Sequence, residues 1–205
     1  MKVLFLADVH GEETVLERLA EKAGLYDMVV VGGDIGTSVS FVKEFLGVTD
    51  RMFVIPGNND PKELAALAGD KYLQGKRAEL GEGLNLVGFG FSPPTPFRTP
   101  GEISEEEMYE GMSKLSIDRK TILVTHAPPK GLLDEVLGIH AGSEAVRKIM
   151  EEKEPLALVC GHIHEREGKE KVGATTVLKL APASRLRGGL IEVEDGRITL
   201  SNVGL

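Results

Sequence analysis

The chain has 205 residues, with 24 lysines and arginines against 32 aspartates and glutamates, a net charge of −8, and 41% hydrophobic residues. That composition suits one globular domain over residues 1–205, and the negative balance argues against the basic stripe with which proteins clamp a nucleic-acid backbone. No apolar run approaches the roughly 18 residues that cross a bilayer, and the opening "MKVLFLADVHG" turns polar too early for a secretory signal. The expectation is therefore a cytoplasmic protein without membrane contact. The lone cysteine, Cys160, excludes an internal disulfide, and its setting in "LALVC" reads as a buried structural thiol.

Along the chain, "KVLFLADVHG", "MVVVGGD", "MFVIPGNND", "TILVTHAPP" and "LALVCGHIH" each run apolar and then switch to Gly, Asp, Asn or His. Continuous Val, Ile and Leu runs bounded by turn residues predict strands buried on both faces. Between the first three lie the amphipathic stretches "EETVLERLAEKAG" and "TSVSFVKEFLG", so the first half reads β-α-β-α-β. "DPKELAALAG" then predicts a short helix with Asp60 as N-cap, Pro61 at the first position, Glu63 completing a capping box and Gly69 as the stop. "KRAEL" and "NLVGFGF" predict strands, "SPPTPFRTPGE" an exposed loop, and "SEEEMYEGMSKL" a helix capped at Ser104. A helix capped at Ser143 precedes the fifth apolar run. "TTVLKLA" and "GLIEVEDGRITLSNV" finish the chain as strands, the last a hairpin turning at Asp195-Gly196.

All five polar switches fall at the carboxyl ends of predicted strands, where ligand sites gather in open α/β sheets. Asp8 and His10 are two residues apart, so in extended chain their side chains leave one face; His162 and His164 repeat that spacing. With Asp34, Asn58 and His126 they bring seven oxygen and nitrogen donors to one edge. Carboxylate and imidazole together suit Zn, Mn, Fe or Ni. One aspartate between the two sets can bridge two ions about 3.5–4 Å apart.

"DVH" at 8–10, "GGD" at 32–34, "GNND" at 57–60, "TH" at 125–126 and "GHIH" at 161–164 resemble, in order, the five blocks of the calcineurin-like metallophosphoesterase superfamily, in particular its small bacterial and archaeal phosphodiesterases. The resemblance implies an α/β/β/α sandwich of two mixed sheets, four layers in all, with a dimetal site at the carboxyl edge of the strands. It also implies two divalent transition-metal ions: Asp8, His10, Asp34 and His164 around one, and Asp34, Asn58, His126 and His162 around the other. Two such ions, two aspartates and a bridging hydroxide leave a small positive remainder, which favours an anionic substrate. The hydroxide would attack phosphorus in line while the ions hold the non-bridging oxygens.

Many family members carry histidine where this chain has Asn59, and that histidine contacts phosphate and protonates the departing oxygen. Asn59 can donate a hydrogen bond to phosphate but supplies no proton near neutral pH. Basic alkoxides should therefore leave poorly, and the expected activity is that of a phosphodiesterase acting on a small phosphate ester. Two further residues are candidates for substrate contact: His140, before the helix capped at Ser143 and also a candidate acid, and Arg98, a phosphate clamp in the proline-rich loop. The competing readings are a non-catalytic scaffold of the same fold and a nuclease. Retention of all seven donors speaks against the first, and the acidic balance against the second. A homo-oligomer is compatible with the sequence.

Overall fold

The computed structural model describes residues 1–194 and 197–205. In chain order the elements are β1 (Lys2–Leu6), α1 (Glu13–Lys22), β2 (Met28–Val31), α2 (Val39–Leu46), β3 (Met52–Val54), α3 (Leu64–Ala68), β4 (Lys76–Gly81), β5 (Leu84–Phe89) and α4 (Glu105–Ser113). They continue as β6 (Thr121–Thr125), β7 (Glu135–Val136), β8 (Ile139–His140), α5 (Glu144–Lys153), β9 (Ala157–Cys160), β10 (Gly168–Val172), β11 (Thr175–Lys179), β12 (Arg187–Glu194) and β13 (Arg197–Gly204). One sheet has the order β13-β12-β1-β2-β3 and the other β10-β11-β9-β6-β5-β4; β7 and β8 form a separate ribbon. Strands β1 to β3 are mutually parallel, as are β5, β6, β9 and β11, while the outer strands run antiparallel, so both sheets are mixed.

Strand alternation sorts the apolar runs into three cores. In β1, Leu4 and Leu6 pack outward with α1 and α2, whereas Val3 and Phe5 point into the space between the sheets. In β6, Ile122 and Val124 meet them there, and Leu123 faces Met108, Met112 and Ile149 of α4 and α5. The layers are therefore helix, sheet, sheet and helix. Burying a Leu, Ile or Phe side chain is worth about 1.5–3 kcal/mol, and central strands apolar on both faces draw that gain twice. The helix caps follow the sequence: Ser104 and Glu107 form a reciprocal capping box, and the Ser38 and Ser143 hydroxyls accept from Phe41 N and Val146 N.

One expectation changes. Helix α3 begins only at Leu64, and Asp60 is not its cap. The Asp60 carboxylate instead accepts from the backbone N–H groups of Asp34 (2.8 Å), Ile35 (2.7 Å), Gly36 (3.3 Å) and Gly57 (2.7 Å). Four buried donors from two strand-end loops outweigh the one or two N–H groups a helix start offers, so Asp60 ties β2 to β3. Strands β12 and β13 pair antiparallel as expected, with Glu194 opposite Arg197, but the turn assigned to Asp195-Gly196 lies outside the described residues. The β7–β8 ribbon and β10 carry no apolar run and went unread in the sequence.

Candidate metal centre

Past the last residues of β1, the ladder to β2 continues into the loops: Asp8 N donates to Gly33 O at 3.0 Å and His10 N to Asp34 O at 2.9 Å. The chain must then turn sharply. Asp8, His10, Asp34 and His162 have φ of 59°, 54°, 55° and 72°, left-handed conformations that cost an L-residue about 1–2 kcal/mol each. Strain of this kind, concentrated on four of seven candidate ligands, is characteristic of functional sites. The block glycines have a separate reason. A Cβ on Gly57 would lie 2.0 Å from Asp34 Oδ1, and one on Gly161 would lie 2.6 Å from Asp8 Oδ2, so these positions admit no side chain without displacing a carboxylate.

The structure brings Asp8, His10 and His164 into one group able to hold a metal ion, and Asp8, Asp34 and His126 into another. Asp8 is fully buried; its Oδ2 accepts from His162 N at 2.8 Å, while Oδ1 has no hydrogen-bond partner among the described residues. His164 Nε2 and His10 Nε2 lie 3.5 and 3.9 Å from that oxygen and 3.3 Å from each other. Burial opposes the charge on Asp8, but the hydrogen-bonding His164 imidazole and the Lys179 ammonium hold its carboxyl well below the usual range. His162 stacks at a tilt on His126, with ring centroids 4.8 Å apart. Burial pushes the His162 imidazole down to about 3, which leaves it neutral with a free lone pair.

Hydrogen bonding fixes the remaining donors. His126 Nδ1 faces Gly32 O at 2.8 Å, and a carbonyl only accepts, so Nδ1 carries the proton and a neutral ring presents a bare Nε2. That nitrogen lies 2.9 Å from Asn58 Oδ1. The amide orientation is set from behind: Thr99 Oγ1 donates to Glu102 Oε1 at 2.7 Å and so must accept from Asn58 Nδ2, at 2.8 Å. In that tautomer two acceptors meet with no proton between them. This contact and the orphaned Asp8 Oδ1 both call for a cation, so the residues fit the divalent ions that the resemblance implies. Asp34 is held by Asn59, whose backbone N and Nδ2 donate to its two carboxylate oxygens at 2.8 Å each.

Arg98 is exposed on the proline-rich loop with φ 52° and does not line the cleft beside these donors. His140 lies on β8, its ring more than half exposed and its Nδ1 2.7 Å from the buried Asp134 Oδ1. Asp134 also accepts from Gly131 N and Gly142 N and so shapes the loop carrying the β7–β8 ribbon. Sequence reasoning missed Thr99, Glu102 and Lys179. The spacing of Thr99 and Glu102 is that of a capping box, and Thr99 N indeed donates to Glu102 Oε1 at 2.7 Å, a signal hidden among prolines. Desolvation opposes the Glu102 charge, yet the Thr95 and Thr99 donors hold its carboxyl down to about 2. Buried Lys179 donates from Nζ to Ile163 O and Leu180 O, bracing the "GHIH" loop.

Two mixed sheets between helical layers, with strand-end carboxylates, imidazoles and an amide converging at one edge, define the architecture of a metal-dependent phosphoesterase. Residues 1–183 match the calcineurin-like phosphoesterase superfamily domain, and the chain belongs to that superfamily. Over 197 residues it is 36% identical to an uncharacterized protein of Methanocaldococcus jannaschii, a match covering 90% of this chain and 89% of that protein. A dimetal phosphatase from Danio rerio superposes with a TM-score of 0.70 at 11% identity, over 100% of this chain and 96% of its own. A novel archaeal phosphodiesterase gives a TM-score of 0.53 at 14% identity, over 99% and 100% of the two chains. These two structures share the fold.

Proposed function

We propose that the protein is a phosphodiesterase that works with two divalent ions. When bound, such ions supply Lewis acidity, an activated water and an anchor for phosphate oxygens. The chain's own contribution is to hold the donors in place. Asp60 pins the Asp34 and Gly57 loops, the Gly32 carbonyl fixes the His126 tautomer, and Glu102 and Thr99 aim the Asn58 oxygen. Such preorganisation spares the site reorganisation during reaction.

The observation that carries the diester reading is Asn59. Its amide donates to Asp34 and has no titratable proton, so a leaving oxygen receives none from this position. Leaving groups of low basicity suit such a site. The expected result is Mn- or Ni-dependent hydrolysis of bis(p-nitrophenyl) phosphate that exceeds hydrolysis of p-nitrophenyl phosphate, with Asp34→Asn slower by roughly a thousandfold or more. Failure of the loaded protein to cleave either ester, or full activity of the variant, would overturn the proposal.

A further inference from the structure

Beside the donors a cleft of about 850 Å³ opens to solvent, with His10, Asp34, Asn58 and His164 on its floor. Its walls are of another character. One is the proline-rich loop, which carries Phe97; the other is the tip of the β7–β8 ribbon, with Leu137 and Ile139. Five large hydrophobic residues are exposed among the described residues, and three of them are these, at 84%, 98% and 69%. Leaving such surface in water is unfavourable by roughly 25 cal/mol per Å², and gathering it on two facing walls over a polar floor is the pattern of a binding site.

The ribbon tip adds an independent observation. Leu137 and Gly138 both have positive φ, at 49° and 83°, the type I′ arrangement of a two-residue hairpin turn. Asn, Asp or Gly fits the first position without loss. A branched leucine there costs backbone strain and exposes its side chain almost completely, so neither folding nor solubility accounts for it. Charge narrows the occupant further. Among the described residues lining the cleft there is no lysine or arginine, and the one charged side chain beyond the candidate ligands is Glu165. A second phosphate or a nucleic-acid backbone would find no countercharge on these walls.

We infer that the cleft between Phe97 and the Leu137–Ile139 tip receives an uncharged apolar substituent of the ester, making the substrate class monoanionic phosphate diesters that carry an alkyl or aryl group. This rests on the phosphodiesterase reading. The phosphate meets the donor floor, and the substituent extends outward between the walls.

The test compares p-nitrophenyl methyl phosphate with p-nitrophenyl octyl phosphate on the full Mn-loaded chain, below the concentration at which the octyl ester aggregates. The leaving group is the same, so kcat/KM reports the substituent. Each methylene that leaves water contributes about fourfold at most, and a partly covered chain should favour octyl by about tenfold or more. In the Phe97→Ala/Leu137→Ala double variant the octyl-to-methyl ratio should fall toward one, with the far-ultraviolet spectrum reporting a preserved fold. A flat ratio in the parent, a ratio undiminished in the variant, or a preference that appears only once the ester forms micelles overturns the inference, the last pointing to a membrane surface instead. Calorimetric binding of O-octyl and O-methyl methylphosphonate separates the two readings: if neither ester is cleaved, the phosphodiesterase proposal fails. Tighter octyl binding, lost in the variant, still upholds the cleft, and equal binding overturns it too.

Discussion

His126, Asp34 and Asn58 lie below the protein surface, whereas the side chains of His10 and His164 keep 34% and 39% of their area in water. The inner donors each have a partner behind them: Gly32 O for His126, Asn59 for Asp34, and Thr99 backed by Glu102 for Asn58. Among the described residues the outer imidazoles have only each other, at 3.3 Å, and the unpartnered Asp8 oxygen. Ligands oriented by outer-shell hydrogen bonds bind metal more tightly than ligands that must first be ordered. The inner half should therefore fill first and exchange last, and the outer half should be the open position that trades metal with solution.

The largest expected effect erases the contrast. Asp60→Asn replaces a carboxylate serving four N–H groups with an amide of one acceptor and a misplaced NH2, leaving buried donors unpaired. Urea denaturation should show roughly 3 kcal/mol less stability, and Mn titration should show both binding steps weakened; loss of one step alone would mean that Asp60 does not serve the shared frame. Next in size, His126→Ala should weaken the tighter of two calorimetric Mn steps and His10→Ala the looser. Equal effects on both steps would remove the distinction between inner and outer halves. Smaller again, Thr99→Val keeps the shape but frees Asn58 to turn. Inner-step affinity should fall about tenfold and the outer step stay unchanged, whereas a variant indistinguishable from the parent would show that the Glu102–Thr99 relay does not orient the amide.

The donors and the groups that orient them differ in how far the sequence reveals them. Each block of candidate ligands stands out because an apolar run switches abruptly to Asp, His or Asn, and the strand-end rule then gathers the blocks at one edge. The five runs apolar on both faces imply sheet strands covered on each side, while the four-layer sandwich of two sheets is what the resemblance of the blocks implies. What orients the ligands was not legible, because outer-shell contacts join residues far apart in sequence: Asn58 to Thr99, Asp60 to Ile35, Lys179 to Ile163. Asp60 is the instructive miss. A local capping pattern was present, but a tertiary set of four buried donors competed for the same carboxylate and won. The ribbon carrying His140 was invisible because two-residue strands have no periodicity to detect.

Asn59 stands where the halves meet, since it holds Asp34 from the cleft side. Asn59→His would test whether leaving-group protonation is what the site lacks. The introduced imidazole can keep a donor toward Asp34 through one ring nitrogen and turn the other to the cleft, held there by that single contact. A well-positioned general acid contributes about 100-fold or more, and an unoriented one should give less than about tenfold. The direction matters more than the size. Alkyl leaving groups, which need the proton, should gain more than p-nitrophenolate, which leaves without it. Equal gains would assign the change to binding or to altered support of Asp34, and the inner Mn step, measured on the same variant, would separate those two causes.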